Sequence, residues 1–389
     1  MTPGISRPSA ADMGRFFLWL GTAGFGGPIA LVGYMEREFV DRRQWVTSQE
    51  LKDGIAFSQL APGPLAAQLA IYLGWLCGGI RGATVSGVAF IGPSFLMVLV
   101  LAALYLRFGG IGWLQSAFYG VGAAVIAIVA RSAVKLTRGT LGRDRLLWIL
   151  FGVTAVVTAW TESEIVWLFV LCGLTSMLIK TRGQLLRSTL LSLTALPTAG
   201  WWTTGLHGAA DLSIVFTILL YFASAGLFVF GSGLAIVPFL HGGVVQEYRW
   251  LTERQFLDAV AVALITPGPV VITVAFIGYL VAGPLGAIAA GVGVFAPTYV
   301  ITIALAPHYE RLKSDRRVRA FVDGVTAAAT GAIAGAAFVL GRRAVTDLIT
   351  VAILAATFAV LTKVRKVPEP LLICAAGVVG IVTKAIQAR

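Results

Sequence analysis

The chain is written as long apolar runs separated by short polar ones. Gly92–Leu106 and Val351–Leu361 contain no charged residue, and several apolar runs reach the ~20 residues a helix needs to cross a hydrocarbon core of ~30 Å. In the first half, an apolar segment at about 13–34 is interrupted by Gly24-Phe25-Gly26-Gly27-Pro28 and followed by a polar, amphipathic connector, Glu36–Asp53. A second apolar segment carries Pro62-Gly63-Pro64 in its middle, and four more follow at about 83–106, 112–134, 146–160 and 164–179. The second half repeats the scheme. A segment at about 212–240 is interrupted by Gly231-Ser232-Gly233, a connector runs His241–Asp258, and the next segment is broken by Pro267-Gly268-Pro269. Four more segments lie at about 284–306, 320–340, 345–362 and 368–386.

The halves match residue by residue. Trp45-Val46-Thr47 and Trp250-Leu251-Thr252 lie 205 positions apart, a spacing that also pairs Phe25-Gly26 with Phe230-Gly231, Ala30 with Ala235, Asp53 with Asp258, and the two Pro-Gly-Pro motifs. One residue is then lost. At a spacing of 204, Gly74 meets Gly278, Gly79 meets Gly283, Gly82-Ala83 meets Gly286-Ala287, and Pro93 meets Pro297. Two Pro-Gly-Pro motifs at one fixed distance from a shared Trp mark an internal duplication.

Composition narrows the class. The 389 residues are 58% hydrophobic and 12% charged, against roughly 45–50% and about 25% in soluble domains. A net charge of +12 invites a nucleic-acid partner, but the basic residues sit in short clusters between apolar runs, as cytoplasmic loops do under the positive-inside rule. No nucleic acid is expected. In the first half Arg131, Lys135, Arg138, Arg143 and Arg145 crowd between the fourth and fifth segments, Lys180, Arg182 and Arg187 follow the sixth, and Glu162 and Glu164 mark the opposite side. In the second half Arg311, Lys313, Arg316, Arg317 and Arg319 come one loop earlier, and Lys363, Arg365 and Lys366 two segments later. Positive loops therefore fall on opposite parities, which predicts halves of inverted topology, with Ser188–Trp202 supplying the extra crossing between them.

The expected fold is an all-α polytopic membrane protein: two inverted-topology repeats of about six segments each, joined by a linking span, about 13 transmembrane segments in all. Helices are expected to be broken at Gly-Gly-Pro and Pro-Gly-Pro. The boundaries read as a cytoplasmic N-terminal tail at 1–12, an N-terminal repeat at 13–187, a linking span at 188–210 and an inverted C-terminal repeat at 211–389. This scheme places the arginine-bearing connector Glu36–Lys52 outside, against the charge rule.

Pro-Gly-Pro inside a bilayer segment frees backbone N–H and C=O groups that lipid cannot satisfy, so it persists only where protein buries it or a polar cavity meets it. Inverted-repeat transporters place substrate at such breaks. Pro64 and Pro269 fit the first position of a half-helix, where a missing N–H costs nothing, and the helix beyond would aim its positive end at the break. Two such ends would cradle an anion; the plainer alternative is a proline kink in a packed helix. Candidate substrate contacts are Pro62, Gly63, Pro64, Pro267, Gly268 and Pro269, with Ser58, Gln59 and Gln68 beside the first break and Thr266 and Thr273 beside the second. Each polar side chain alone is more often glue between helices. Gly26, Gly27, Pro28, Gly231 and Ser232 mark further breaks or close helix crossings. Pathway charges or coupling groups are sought among Glu36, Arg37, Glu38, Arg43, His241 and Arg249, which equally suit a solvated amphipathic connector.

Nothing points to catalysis. No His-Glu-x-x-His, P-loop, Gly-x-Ser-x-Gly or Cys/His metal spacing occurs, and Cys77, Cys172 and Cys374 lie unpaired in apolar runs. No cofactor and no metal are expected. Without a nucleotide-binding element, secondary transport or a channel remains.

Phe25-Gly26-Gly27-Pro28, Arg43-x-Trp45, Gln59-x-x-Pro62-Gly63-Pro64, Gly82-Ala83 and Pro93-Ser94-Phe95 resemble the chromate ion transporter (CHR) family. Phe230-Gly231 through Pro267-Gly268-Pro269 to Pro297 resembles its C-terminal domain, so the likeness spans the chain and matches the long, two-domain type. One departure is Gly231-Ser232-Gly233, which stands in place of Gly-Gly-Pro. The resemblance implies an inner-membrane protein that exports chromate and confers resistance, with Gly26, Gly27, Pro28, Pro62, Gly63, Pro64, Pro267, Gly268 and Pro269 as motif residues. Sulfate, another tetrahedral dianion, is the alternative substrate of a permease. A passive anion channel and a membrane-embedded chromate reductase are readings of another class, the latter lacking any redox centre. Membrane lipid is an expected partner, and a homodimer is left open.

Overall fold

A computed structural model of the chain describes residues 7–25, 27–108, 112–161, 166–181, 212–227, 229, 236–309, 314–345, 347–364 and 367–387. Among these there is no strand. The helices are α1 (Ala10–Ala23), α2 (Gly27–Glu36), α3 (Ser48–Leu60), α4 (Leu65–Phe108), α5 (Gly112–Thr140), α6 (Arg145–Thr161) and α7 (Val166–Lys180) in the first half. The second half supplies α8 (Leu212–Leu227), α9 (Ile236–His241), α10 (Glu253–Ile265), α11 (Thr273–Leu305), α12 (Arg316–Ala344), α13 (Leu348–Lys363) and α14 (Glu369–Gln387). Among the described residues, five helices are long and apolar enough to cross a membrane. Large apolar side chains cover the outside, Trp160 being 86% and Leu348 88% exposed. A water-soluble surface does not carry so much exposed apolar area; this is a multi-pass membrane protein.

The two broken segments of the first half fold back on themselves. α1 has 14 residues, about 21 Å at 1.5 Å per residue. Beyond Gly24 the chain folds back: Phe39 packs on Phe16 and Phe17 with ring centroids 5.5 and 5.6 Å apart, and Tyr34 on Trp19 at 5.8 Å. Early residues of α1 thus meet late residues of the returning arm, the pairing of an antiparallel hairpin. The second broken segment does the same. α3 starts at a capping box in which Thr47 and Glu50 each bond the other's backbone N–H. It ends before Pro62, and α4 returns beside it, with Phe57 stacked on Tyr72 at 5.2 Å and Gly54 against Leu69 and Tyr72. The returning arm runs from Leu65 to Gly78-Gly79, where φ/ψ of −141°/20° and 59°/−148° turn a corner into the long remainder of α4. The contacts between their arms make each of these two segments a hairpin, with Pro62-Gly63-Pro64 at the tip of the second.

The duplication is visible in the backbone. Ala282 and Gly283 repeat the corner with −141°/27° and 63°/−153°. Thr252 and Gln255 repeat the capping box, and π-helical turns at Arg37–Arg42 and Gly242–Glu247 are each followed by one residue of positive φ, Gln44 and Arg249. The halves then interlock through small residues. A Cβ on Gly120 would strike the carbonyl of Ala376, and one on its counterpart Gly324 would strike that of Cys172. Backbones this close gain van der Waals contact where lipid offers no hydrophobic drive. Along α12, Gly331 meets Phe151 and Gly335 meets Ala155 of α6, so these helices run in one direction. Along α14, Ala376 meets Gly120 and Gly380 meets Ser116 of α5, so those run in opposite directions. Lys180 at the end of α7 pairs with Asp144 before α6 (2.8 Å) and with Asp323 near the start of α12 (3.1 Å). That brings Arg143, Arg145, Lys180 and Arg316 to one end of the bundle. The expected linking span at 188–210 lies wholly outside the described residues, as do Glu162, Glu164, Arg182, Arg187, Arg311, Lys313, Arg365 and Lys366.

Candidate functional site

The two Pro-Gly-Pro tips meet. Pro64, Leu65 and Ala66 from one and Pro269, Val270 and Val271 from the other line a single small cavity, closed on one side by Leu31 of α2. Each tip is held by the opposite half: Gly63 N donates to Val229 O at 2.7 Å, and Gly268 N donates to Gly24 O at 3.0 Å. These bonds are repeat counterparts, an exchange across the interface. Both glycines sit at positive φ, +141° and +96°, where any Cβ is strained. A Cβ on Gly63 would lie 2.7 Å from Thr298 Cγ2, and one on Gly268 would lie 1.9 Å from Ser94 Oγ. Ser94 and Thr298 are themselves counterparts, wedged under opposite tips, and Ser94 Oγ donates to Gly21 O at 3.1 Å.

Pro64 opens its half-helix, its carbonyl accepting from Gln68 N at 2.9 Å. The first-turn N–H groups of such a helix have no internal carbonyl, and the end carries roughly half a positive charge. In the second half a 3-10 turn, Val270–Ile272, comes first, with Ile272 N donating to Pro269 O at 3.0 Å. The start of α4 and the turn that precedes α11 thus border one small space. The cavity measures about 10 Å³, room for about one water; the tips are closed on one another.

The hydroxyls and amides expected around the breaks serve the backbone instead. Ser58 Oγ donates to Gly54 O, Thr266 Oγ1 to Val262 O, and Thr273 Oγ1 to Val270 O. Gln68, fully buried, ties the first tip by donating from Nε2 to Ala61 O (3.3 Å) and Pro62 O (2.7 Å). Its Oε1 has no partner among the described residues. Gln59 is exposed on α3. Gly27 and Pro28 open α2, and Pro267 precedes the second tip. Gly26, Gly231 and Ser232 lie outside the described residues.

The charged candidates are found elsewhere. Arg37, Glu38 and Arg43 line a cleft of about 590 Å³ with Arg15, Arg42, Trp19, Tyr34 and Trp45. Glu38 pairs there with Arg42 (3.3 Å) and Arg43 (3.0 Å), while Arg37 lies over the Tyr34 ring and Arg43 over Trp45. Glu36 and Arg249 are exposed. His241 is buried, its Nε2 2.7 Å from Glu253 Oε2. Glu253 lines a second cavity, of about 460 Å³, with Arg254, Asp258 and Lys384. None of these six residues shares the tip cavity. Sequence reasoning missed Leu31, Ser94 and Thr298 at the tips; the last two were available as hydroxyls at counterpart positions 204 apart.

A family model described as "Chromate transporter" matches the chain twice, over residues 11–177 and again over 216–381. The chain belongs to the chromate transporter family. Curated members of similar sequence include the chromate transport protein of Cupriavidus metallidurans, 52% identical over 370 residues that cover 94% of this chain and 91% of that one. The probable chromate transport protein of Synechococcus elongatus is 49% identical over 377 residues, 96% and 95% of the two chains. The chromate transport protein of Pseudomonas aeruginosa is 33% identical over 327 residues, 82% and 77% of the two. No solved structure matches the chain. In chromate transporter terms, the double match makes each half one copy of the family's unit, and both copies carry the tip motif.

Proposed function

We propose that the protein is a secondary transporter that exports chromate from the cytoplasm across the inner membrane by alternating access, and so confers chromate resistance. The observation that carries this reading is the meeting of Pro64 and Pro269 at one cavity, with two positive helix ends directed at it. A tetrahedral dianion suits backbone N–H donors and needs no buried cation. The names of the similar curated proteins select chromate among such dianions.

Several observations support an inverted arrangement. α5 turns back into α6 through Leu141–Asp144, so the two run oppositely, and α12, the counterpart of α5, runs with α6. Counterparts thus point in opposite directions. Because the hairpins return to their own side, each half makes four crossings, from the long part of α4 through α7 and from that of α11 through α14. With a linking crossing the total is nine rather than thirteen. The connector bearing Arg37, Arg42, Arg43 and Lys52 then joins the positive end of the bundle, which resolves its conflict with the charge rule. That end is the cytoplasmic one, with the N-terminus.

Charge favours outward movement. The cytoplasmic cleft holds Arg15, Arg37, Arg42 and Arg43 against Asp12 and Glu38, whereas the counterparts of those arginines are Leu220, Gly242, Glu247 and Tyr248. A cationic mouth on one face concentrates anions there. The test is radiolabelled chromate flux in inverted vesicles, with and without a proton gradient and with sulfate as competitor. Gradient-dependent chromate uptake into inverted vesicles supports export. Inward sulfate accumulation in right-side-out vesicles with no chromate flux transfers the reading to a sulfate permease, and flux that never exceeds equilibrium makes the protein a channel.

A further inference from the structure

The second cavity holds a carboxyl group that the tip mechanism does not use. Asp258 lies on α10, 3% exposed, on the wall of a cavity of about 460 Å³. Its Oδ2 accepts a hydrogen bond from Tyr105 of α4 at 2.7 Å, its one hydrogen-bond partner among the described residues. Tyr105 is fixed by edge contacts to Phe118 (5.7 Å) and Phe276 (5.4 Å). Neither cation that shares the cavity bonds Asp258: Arg254 of α10 acts on it only through its charge and donates to Gln115 O at 2.7 Å, and Lys384 of α14 lies 4.6 Å over the Tyr119 ring of α5. Glu253 of α10 meets His241 of α9 at 2.7 Å. Asp258 is thus a buried acid without a bonded counter-cation, facing a cavity at the junction of the halves.

The repeat adds a second observation. Asp53, Tyr309 and Lys180 occupy the counterpart positions of Asp258, Tyr105 and Lys384, while His241, Glu253, Arg254 and Tyr119 correspond to Glu36, Ser48, Gln49 and Asp323. The Asp, Tyr and Lys persist where the surrounding charges have changed. Ionisable residues held between membrane helices mark ion pathways and proton relays.

We propose that Asp258 is the proton-carrying group of the transporter, with Tyr105 as its positioning partner and Glu253, backed by buried His241, on the wall of its route to solvent. This rests on the transport reading and adds the coupling ion. The oxygen not held by Tyr105 takes a proton from solvent in the cavity and forms an O–H bond. The same bond breaks when the proton is returned to solvent on the other face, so no net chemistry occurs. Tyr105 keeps the carboxyl oriented in both forms.

The test uses full-length protein in proteoliposomes. A pH-sensitive dye reads proton movement during chromate flux, and chromate exchange without a gradient is measured alongside. Asp258→Asn is expected to lose gradient-driven flux by at least about ten-fold and to abolish the dye signal while exchange persists. Asp258→Glu should restore both in part, and Tyr105→Phe should shift the pH profile of flux without abolishing it. Asp258→Asn with wild-type gradient dependence overturns the proposal. If that variant does not fold, an unchanged pH profile in both Asp258→Glu and Tyr105→Phe overturns it instead. Wild-type chromate flux that moves no protons refutes the coupling alone; no chromate flux in any assay refutes the transport reading with it.

Discussion

Replacing Gly268 by Ala probes the exchanged tip contact most directly. The residue has φ of +96°, and a non-glycine residue held in a sparsely populated region costs about 1–3 kcal/mol. Its new Cβ would fall 1.9 Å from Ser94 Oγ, so Ser94 must turn away and lose its bond to Gly21 O, worth about 0.5–1.5 kcal/mol. Together these predict a loss of about 2–4 kcal/mol. Ser94→Ala removes the struck atom and gives up the same bond, so the double variant loses that bond once and adds only the backbone strain to it. The two substitutions should therefore be less than additive by about 1 kcal/mol or more, as expected for residues in contact. Thermal unfolding of the purified wild type, both single variants and the double variant measures this cycle. Gly268→Ala unfolding with the wild type, or strict additivity of the pair, would refute the wedge. The counterpart cycle, Gly63→Ala with Thr298→Ala, should show weaker coupling, because a Cβ at Gly63 meets Gln68 Cδ at 2.8 Å as well as Thr298 Cγ2 at 2.7 Å.

Pro64→Ala and Pro269→Ala should each lower chromate flux on the order of ten-fold, about 1.4 kcal/mol in the rate-limiting barrier, while the unfolding temperature changes little; unaltered flux in both removes the tips from the mechanism. A single cysteine at Arg43, in a background without Cys77, Cys172 and Cys374, should react with a membrane-impermeant maleimide from the cytoplasmic side, and one at Arg249 from outside; Arg43 reacting from outside restores the thirteen-span scheme. Asp144 has its carboxyl held below the usual range, chiefly by the hydrogen bond from Lys180. The stabilisation it gives is present above about pH 4 and is lost as pH falls through its folded value. Both partners are about a third exposed, so Asp144→Asn should lower stability at pH 7 by at most ~1 kcal/mol and flatten the acid limb of an unfolding-versus-pH curve.

The duplication was legible because Trp45 and Trp250 keep one distance to two Pro-Gly-Pro motifs. The hairpins were not, for a physical reason. Hydropathy records how apolar a run is, not which way the chain travels. Two short arms around a Gly-Gly-Pro read as one run long enough to cross, and only a contact such as Phe16 with Phe39 separates the cases. In the proposed nine-span arrangement Arg37, Arg42 and Arg43 agree with the charge rule, which an external connector does not. At the tips, prolines and glycines were legible because their backbone needs are encoded by residue type. Sequence alone does not show that Ser58, Thr266 and Thr273 each donate to a carbonyl three or four residues back, as a helix hydroxyl can.

In the proposed transporter the exchanged bonds link opening of the closed tip cavity to binding of the dianion. Gly63 and Gly268 each present a buried N–H to a carbonyl of the opposite half, so drawing the tips apart orphans two donors at once, at about 1–3 kcal/mol each. An oxyanion entering between them brings acceptors of the kind the carbonyls of Val229 and Gly24 supplied, and it meets the two positive helix ends as well. Separation is then costly when the site is empty and offset when it is filled, which is the condition for a carrier to expose its site only with cargo aboard. A channel has no use for that coupling, because its tips would need to stay parted whether or not an ion was present.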